Sequence, residues 1–364
     1  MMKLDDIAAL AKVSKTTASR ALADSPLVKE ETKALIREIA KAHNYKPNTL
    51  ASAFARKKSG IIGFCLLNKD HPSFGHPFFG PVLDGALEQA RKDNYHIILA
   101  ANKGSDYVFE EPFMQDCIEG VVLSSFAPAK AVQEFKKRGI PQVLINDVLN
   151  TENNTFIMDD NYGGAYQLMQ HLMKDKGHFR IGFLTDRLSH TSYLLRYFAY
   201  IDAHRDAGLP VYSNDKLPLF DLEGGFSLSS DYYLKKYGYD DIPRIGSPMV
   251  VVGVKSAAGY EAVKQLIATG DLPSAIFAVS DSLAIGAIHA LQDAGLRVPE
   301  DVAVVGYDDI ISSTAVRPAL TTVRVNRKEI GRTAIQELEK LIENPEQETK
   351  IIYIKNNLIV RKSS

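Results

Sequence analysis

The spacing of apolar residues near the start of the chain is helical. Ile7, Ala8, Leu10 and Ala11 fall at helical spacing, the run stops at Lys12-Val13-Ser14, and Ser14 suits the start of a second helix. From Lys15 to Ala23 the small residues Ala18, Ala21 and Leu22 share one face, while Lys15, Thr16, Ser19 and Arg20 share the other. The pattern predicts a third helix over about Lys29 to His43, with Leu35, Ile36, Ile39 and Ala40 as its buried stripe and a weak cap at Lys29. Pro47 ends it, and Thr49 to Arg56 reads as a short helix that is unstable alone.

After Gly60 the pattern changes to short, nearly continuous apolar runs, beginning with Ile61-Ile62-Gly63-Phe64-Cys65-Leu66-Leu67, as strands buried on both faces require. Further runs are Tyr95 to Ala100, Gly120 to Leu123, Pro141 to Ile145, Phe179 to Leu184, Met249 to Val254, Ala275 to Val279 and Val302 to Gly306. Helical stripes such as Tyr162, Ala165, Leu168, Met169 and Leu172, or Leu283, Ala284, Ala287, Ile288 and Leu291, lie between them. Strand and helix in alternation predict parallel sheets with helices on both faces, in number enough for two lobes.

The expected fold is therefore an all-α helix-turn-helix head on an α/β core of two doubly wound parallel-sheet lobes. Its boundaries are residues 1–47 for the head, 48–59 for a hinge helix and linker, and 60–364 for the core. The first lobe is expected to take about 60–159 plus 297–325, and the second about 160–296 plus 326–364.

Charge sharpens this division. The formal net charge of the 364 residues is only −1, which by itself argues against a nucleic-acid binder. Residues 1–58, however, hold twelve basic against six acidic side chains, a balance of +6, and the remainder holds 31 against 38, a balance of −7. A basic head on an acidic body suits a polyanion-binding module joined to a body with another task. The hydrogen-bond donors on the second helix then fit a helix placed in the major groove, and Phe54 on the small-residue helix fits an apolar wedge in the minor groove.

At these residues the chain resembles the lactose/galactose repressor family of bacterial transcription regulators. The resemblance rests on Asp5-Asp6-Ile7-Ala8, Val13 through Leu22, Asn44-Tyr45-Lys46-Pro47-Asn48 and Ala51, and in the body on Pro77-Phe78-Phe79, Asp159 through Ala165, and Ala275 through Val323. It implies a core of the periplasmic-binding-protein-like type. It implies base reading by Lys15, Thr16 and Arg20, with Ser14, Thr17, Ser19, Asn48, Ala51 and Phe54 completing the DNA-binding set. Phe54 stands where the family inserts a leucine, and Ala18 where valine is commoner.

Ligands of doubly wound sheets bind beyond the carboxyl ends of the strands. There the sequence places Asp147, Asp281, Arg196 and the pair Phe78-Phe79, a set able to hold sugar hydroxyls and an apolar ring face. Each residue also has a structural reading, since an aspartate after a strand caps a helix and Phe78-Phe79 suit a core. The resemblance implies effector contacts at Asp147, Arg196 and Asp281, and Ser192 and Val254 are included with them. Ser280 replaces an asparagine common in the family, and Val254 replaces an aromatic.

No dinucleotide or Walker loop, nucleophile elbow or H-E-x-x-H motif is present, and His71 and His76 are badly spaced for a metal. No metal, cofactor or catalysis is expected. Cys65 and Cys117 lack the spacing for zinc or redox work and suit buried thiols, and no apolar run is long enough to span a membrane. The residues between Tyr212 and Pro248, with Tyr232, Tyr233, Tyr237 and Tyr239, suit either surface packing or a pocket mouth. The last residues, Leu358 to Ser364, carry no leucine heptad. The expectation is a cytoplasmic homodimeric repressor of carbohydrate genes, released from a palindromic operator on double-stranded DNA by a small effector such as a sugar or sugar phosphate. The alternative keeps the head but gives control to a phosphorylated carrier protein.

Overall fold

The computed structural model describes residues 2–22, 24–45, 59–67, 77–102, 117–124, 127, 129–146, 154–186, 188, 190–211, 230–240, 249–250, 255–345, 348 and 350–364. Its contacts divide the chain into one unit of residues 1–61 with 110–119 and a second of 62–109 with 120–364. The positions Asn48, Ala51 and Phe54, with the expected hinge helix, lie outside the described residues, as do Asp147, Val254, His71 and His76.

The head contains α1 (Leu4–Leu10), α2 (Lys15–Leu22) and α3 (Glu30–Ala42). Ile7, Ala11, Ala21, Ile36 and Ala40 form its core, with Val13, Leu22, Val28, Ile39 and Tyr45 packed around them. The stripe expected on α3 is rotated: Leu35 is 47% exposed, and Lys33 turns inward with Ile36 and Ala40. Positions 33, 36 and 40 share one face at three- and four-residue spacing. The Lys33 stem covers apolar surface while its ammonium meets Glu30 at 2.7 Å and Asp24 at 3.2 Å.

The core contains two six-stranded sheets. The first comprises β1 (Ile61–Leu67), β2 (His96–Asn102), β3 (Gly120–Ser124), β4 (Gln142–Ile145), β5 (Thr155–Asp159) and β11 (Lys350–Ile354), in the order β11-β5-β4-β3-β1-β2. The second comprises β6 (Ile181–Thr185), β7 (Met249–Val250), β8 (Ala275–Ala278), β9 (Ala303–Asp308), β10 (Thr321–Arg324) and β12 (Asn357–Ile359), in the order β12-β10-β9-β8-β6-β7. The registers of β1, β3, β4, β5 and β11 are parallel, as are those of β6 to β10 in the second sheet, which β12 joins antiparallel. The helices are α4 (Phe79–Lys92), α5 (Ala129–Lys137), α6 (Asn161–Gln170), α7 (Thr191–Asp206), α8 (Ser230–Tyr237), α9 (Ser256–Ala268), α10 (Asp281–Asp293), α11 (Ser312–Ala315) and α12 (Arg327–Glu343).

The expected assignment of the late segments to the lobes is corrected by this topology, except for β12, which lies in the second sheet as expected. Residues 297–325 were expected in the first lobe, yet Ala303 to Val305 of β9 pair with Ala275 to Phe277 of β8, and β10 pairs with β9. Residues 326–364 were expected wholly in the second, yet α12 packs on α4 and β11 pairs with β5. Glycine allows that helix crossing. A Cβ at Gly331 would lie 1.9 Å from the Val82 carbonyl oxygen, and one at Gly85 would lie 2.0 Å from that of Lys328. The chain therefore passes between sheets at three points: Asp159 to Asn161, Arg324 to Arg327, and Ile354 to Asn357.

Of the stretch between Tyr212 and Pro248, residues 230–240 are described, and their aromatic side chains pack. Tyr237 of α8 stacks on Tyr162 of α6 with centroids 4.4 Å apart, and Tyr239 stacks on Phe198 of α7 at 4.6 Å. Lys236 donates a 2.6 Å hydrogen bond to the Tyr353 hydroxyl on β11, which ties α8 to the edge of the first sheet.

Candidate DNA-reading face and effector cleft

In the head, the turn between α1 and α2 is closed by Val13, whose amide donates to Ala8, with Lys12 in the left-handed region at φ 54°. Ser14 then caps α2, its Oγ accepting the Thr17 amide at 3.1 Å. Burial of Ala18 and Ala21 turns the opposite face of α2 outward. That face brings together Ser14, Lys15, Thr16 and Arg20, all exposed, with Thr17 and Ser19 half-buried beside them. Lys15 is held at the start of the face by Asp5, 2.9 Å away. A row of hydroxyl, ammonium and guanidinium donors on an exposed helix is what base edges and phosphates in a major groove accept.

In the core, the strand ends converge on Arg196 of α7, which is 3% exposed. Its Nε donates to Asn161 Oδ1 at 2.8 Å and its Nη1 to the Val279 carbonyl at 2.5 Å. Its Nη2 faces Asp308 at 3.5 Å and Asp159 at 4.0 Å, and the guanidinium lies 3.6 Å above the Tyr307 ring. Asp159 and Asp308 end strands, Asn161 opens α6, and Val279 and Tyr307 lie within one residue of a strand end. A buried guanidinium needs such a shell, because an unpaired buried charge is costly.

The network extends through the lobe crossings. Asn356 donates to Asp159 Oδ2 at 3.0 Å and to the Tyr307 hydroxyl at 2.8 Å, and Tyr307 donates to the carbonyl of Asp160 at 3.2 Å. Asp308 and Asp309 have φ of 110° and 52°, left-handed conformations that cost energy in non-glycine residues. Arg324 at 2.7 Å and Arg361 at 2.6 Å hold Asp309 there. Asp308 stays partly open, and burial raises its pKa to about 6 against the opposing pull of Arg196 and Arg327.

Of the expected effector residues, Arg196 stands at the centre and Ser192, 3% exposed, lies on the same helix. Asp281 does not present its carboxylate. It is fully buried, accepting from Ser313 Oγ and Thr322 Oγ1 at 2.5 Å each and from the Ile310 amide at 2.9 Å. Burial, aided by Asp308, pushes its pKa up to about 7. Its role here is to fix the turn after β9 against β10. Phe79 is 7% exposed and packs edge-on against Phe78 with centroids 5.2 Å apart, an arrangement consistent with core packing.

Sequence reasoning missed Asp308, Asp159, Asn161, Asn356 and Asn146. Asp308 ends β9 and was visible within Gly306-Tyr307-Asp308-Asp309. Asn146 follows β4 at φ 56°, 5% exposed with its Oδ1 unpartnered, the position next to the one sequence favoured. Asn356 carried no sequence signal, because its place depends on the third crossing.

This geometry defines a class: a DNA-reading helical head followed by a two-sheet core of the periplasmic-binding type with a polar cluster at its strand ends. Comparison with known proteins agrees along nearly the whole chain. Residues 3–48 match the bacterial regulatory proteins of the lacI family, residues 62–221 the periplasmic binding proteins and sugar binding domain of that family, and residues 232–364 a periplasmic binding protein-like domain. The chain belongs to the LacI family of bacterial transcription regulators, whose members bind DNA and are not enzymes.

It is 28% identical over 366 residues to the probable HTH-type transcriptional repressor ExuR of Bacillus subtilis, covering 100% of this chain and 98% of that one. It is also 28% identical over 364 residues to catabolite control protein A of Priestia megaterium, covering 99% and 98%. Among solved structures, the lac repressor dimer bound to operator and the anti-inducer ONPF superposes with a TM-score of 0.77 at 20% identity, covering 100% of this chain and 98% of that one. A complex of the regulator CelR with cellobiose gives 0.68 at 23%, covering 100% of both chains. Among the described residues no helix is long and apolar enough to cross a membrane.

Proposed function

We propose that this regulator is a cytoplasmic homodimeric repressor of carbohydrate-utilisation genes, released from a palindromic operator by a sugar-like effector held between its lobes. The observation that carries this reading is the buried Arg196 fork beside the partly open Asp308, set among the strand ends where the lobes exchange chain. A guanidinium and a carboxylate at that place suit bidentate contacts to hydroxyl groups. The cellobiose bound to CelR and the anti-inducer bound to the lac repressor support the choice of ligand class.

Ser14, Lys15, Thr16, Thr17, Ser19 and Arg20 face the major groove in this reading, and Asn48, Ala51 and Phe54 belong to the hinge that enters the minor groove. Phe78, Phe79, Asn146, Asp147, Ser192, Val254 and Asp281 form or support the effector cleft around Arg196 and Asp308. Release requires the effector to bind one lobe arrangement more tightly than the other, because equal affinity shifts no equilibrium. The network running from Arg196 through Asp159 and Tyr307 to Asn356 couples ligand contact to the crossings.

The test is operator binding by fluorescence anisotropy, with and without mono- and oligosaccharides, across a salt series. Affinity should fall steeply with salt, and Arg20→Ala should cost about 1–3 kcal/mol and relax one base pair of the operator preference. Salt-independent binding, or a purified protein that no sugar releases, would refute the reading. The similarity to catabolite control protein A supports a second reading, in which a phosphorylated carrier protein promotes DNA binding. Full operator affinity without any partner decides against it.

A further inference from the structure

The crossing from β10 to α12 opens beside an open cavity of about 510 Å³, a depression in the surface whose lining includes Arg324, Arg327, Lys328 and Arg332, with Glu329 and Pro81. Most of that positive charge is answered. Lys328 and Arg332 share Glu88 at 2.6 and 2.9 Å, Arg332 also meets Glu329 at 3.0 Å, and Arg324 meets Asp309 at 2.7 Å. Arg327 differs. Its Nη2 donates to the Asp309 carbonyl at 2.9 Å, and its Nη1 is buried without a hydrogen-bond partner. Among the described residues no carboxylate pairs with it. A buried guanidinium N–H left unsatisfied is costly, and a ligand oxygen would recover that cost.

Two further features favour an anion there. Arg327 opens α12, so the positive end of a seventeen-residue helix adds to the field, and the Asn326 side chain does not cap that end. Arg327 also bonds the backbone of Asp309, the residue next to the Asp308 that faces Arg196 at 3.5 Å, so the two basic groups stand on either side of the same turn.

We propose that this cavity binds the carboxylate or phosphate group of a small anionic effector, with Arg327 as the charge partner and Arg324, Lys328 and Arg332 around it. The unpartnered nitrogen is buried at the foot of the basic cluster and suits a group of a few atoms better than a protein surface. The inference deepens the effector reading above and rests on it for the choice of a sugar derivative. The effector is then an acidic or phosphorylated sugar, with its hydroxyls on Arg196 and Asp308 and its anionic group on Arg327.

The experiment uses the full chain with Arg327→Gln and the charge-keeping Arg327→Lys. Thermal shift is measured in sodium phosphate against sodium chloride at matched ionic strength. Calorimetry then compares glucose with glucuronate and glucose 6-phosphate, and galactose with galacturonate. Wild type should be stabilised by phosphate beyond chloride and should bind a charged sugar roughly tenfold more tightly than its neutral parent, as gain of one charge-assisted pair predicts. Arg327→Gln should erase both differences, and Arg327→Lys should keep part of the phosphate response.

Equal phosphate and charged-sugar responses in wild type and Arg327→Gln would overturn the proposal. So would the absence of any anion response in wild type, or Arg327-dependent capture of a phosphorylated carrier protein with no response to the small anions. If phosphate acts through Arg327 while no sugar releases operator, the site stands and the sugar reading fails. If neutral sugars release operator and no anion responds, the reverse holds.

Discussion

Replacing Arg196 with methionine would keep most of the side chain's bulk while removing its charge and its donors. The change would take away the hydrogen bonds to Asn161 and Val279, and would leave the buried Asp159 and the partly open Asp308 without the cation that now lies 4.0 and 3.5 Å from them. Removing one partner of a buried ionic cluster costs about 3–5 kcal/mol. For a body of this size that corresponds to a fall in Tm on the order of 10 °C.

The loss should depend on pH. Burial already raises the Asp308 pKa to about 6 and raises that of Asp159, with Arg196 opposing both shifts. Without Arg196 both rise further. A carboxyl whose folded pKa exceeds its unfolded value contributes stability that is present below the unfolded pKa and is lost as pH rises through the folded one. Arg196→Met should therefore be destabilised more at about pH 8 than at about pH 5, and Asp308→Asn in the same chain should recover part of the loss at the higher pH. Urea unfolding followed by circular dichroism suits the chain, which has no tryptophan. Wild-type stability at the higher pH, or the same loss at both, would refute the reasoning.

Asp281 has a folded pKa of about 7 from burial and from Asp308 nearby, so wild type should lose stability as pH rises from about 4 through 7. Asp281→Asn should flatten that slope, and an unchanged slope in urea midpoints across the range would contradict the assignment. Gly331→Ala would place a Cβ 1.9 Å from the Val82 oxygen and should cost about 3 kcal/mol by separating α4 from α12, read as a lower urea midpoint. Ser14→Ala removes the cap on the Thr17 amide and should weaken α2 by about 1 kcal/mol, seen as faster amide exchange in that helix. Protection equal to wild type would show that the cap contributes nothing.

Where one period decided the outcome, the amino-acid order was enough. The turn at Lys12-Val13-Ser14 and the outward face of α2 follow from small apolar residues spaced for a helix and a serine placed to cap it. The strands from Ile61 to Leu67 and from Ala275 onward follow from apolar runs too short for helices. The split of charge between residues 1–58 and the remainder belongs to the same class of information. Even here a one-residue choice was lost: α3 buries Lys33 and exposes Leu35, because a lysine stem can cover a core while its ammonium is paired outside.

Tertiary structure decided which strand joins which sheet, and with it the cleft. Strand patterns do not say where a chain crosses, so β9 and β10 fell to the wrong lobe until their hydrogen-bonded registers placed them, and β11 likewise. The crossings bring Asp159, Tyr307, Asp308 and Asn356 to Arg196 across up to 160 residues of chain. The sequence could name aspartates that follow strands, but not which one is open. Asp281 is closed by Ser313, Thr322 and the Ile310 amide, while Asp308 is left facing a guanidinium. That difference between two aspartates of the same chain is set by long-range packing, which local pattern does not carry.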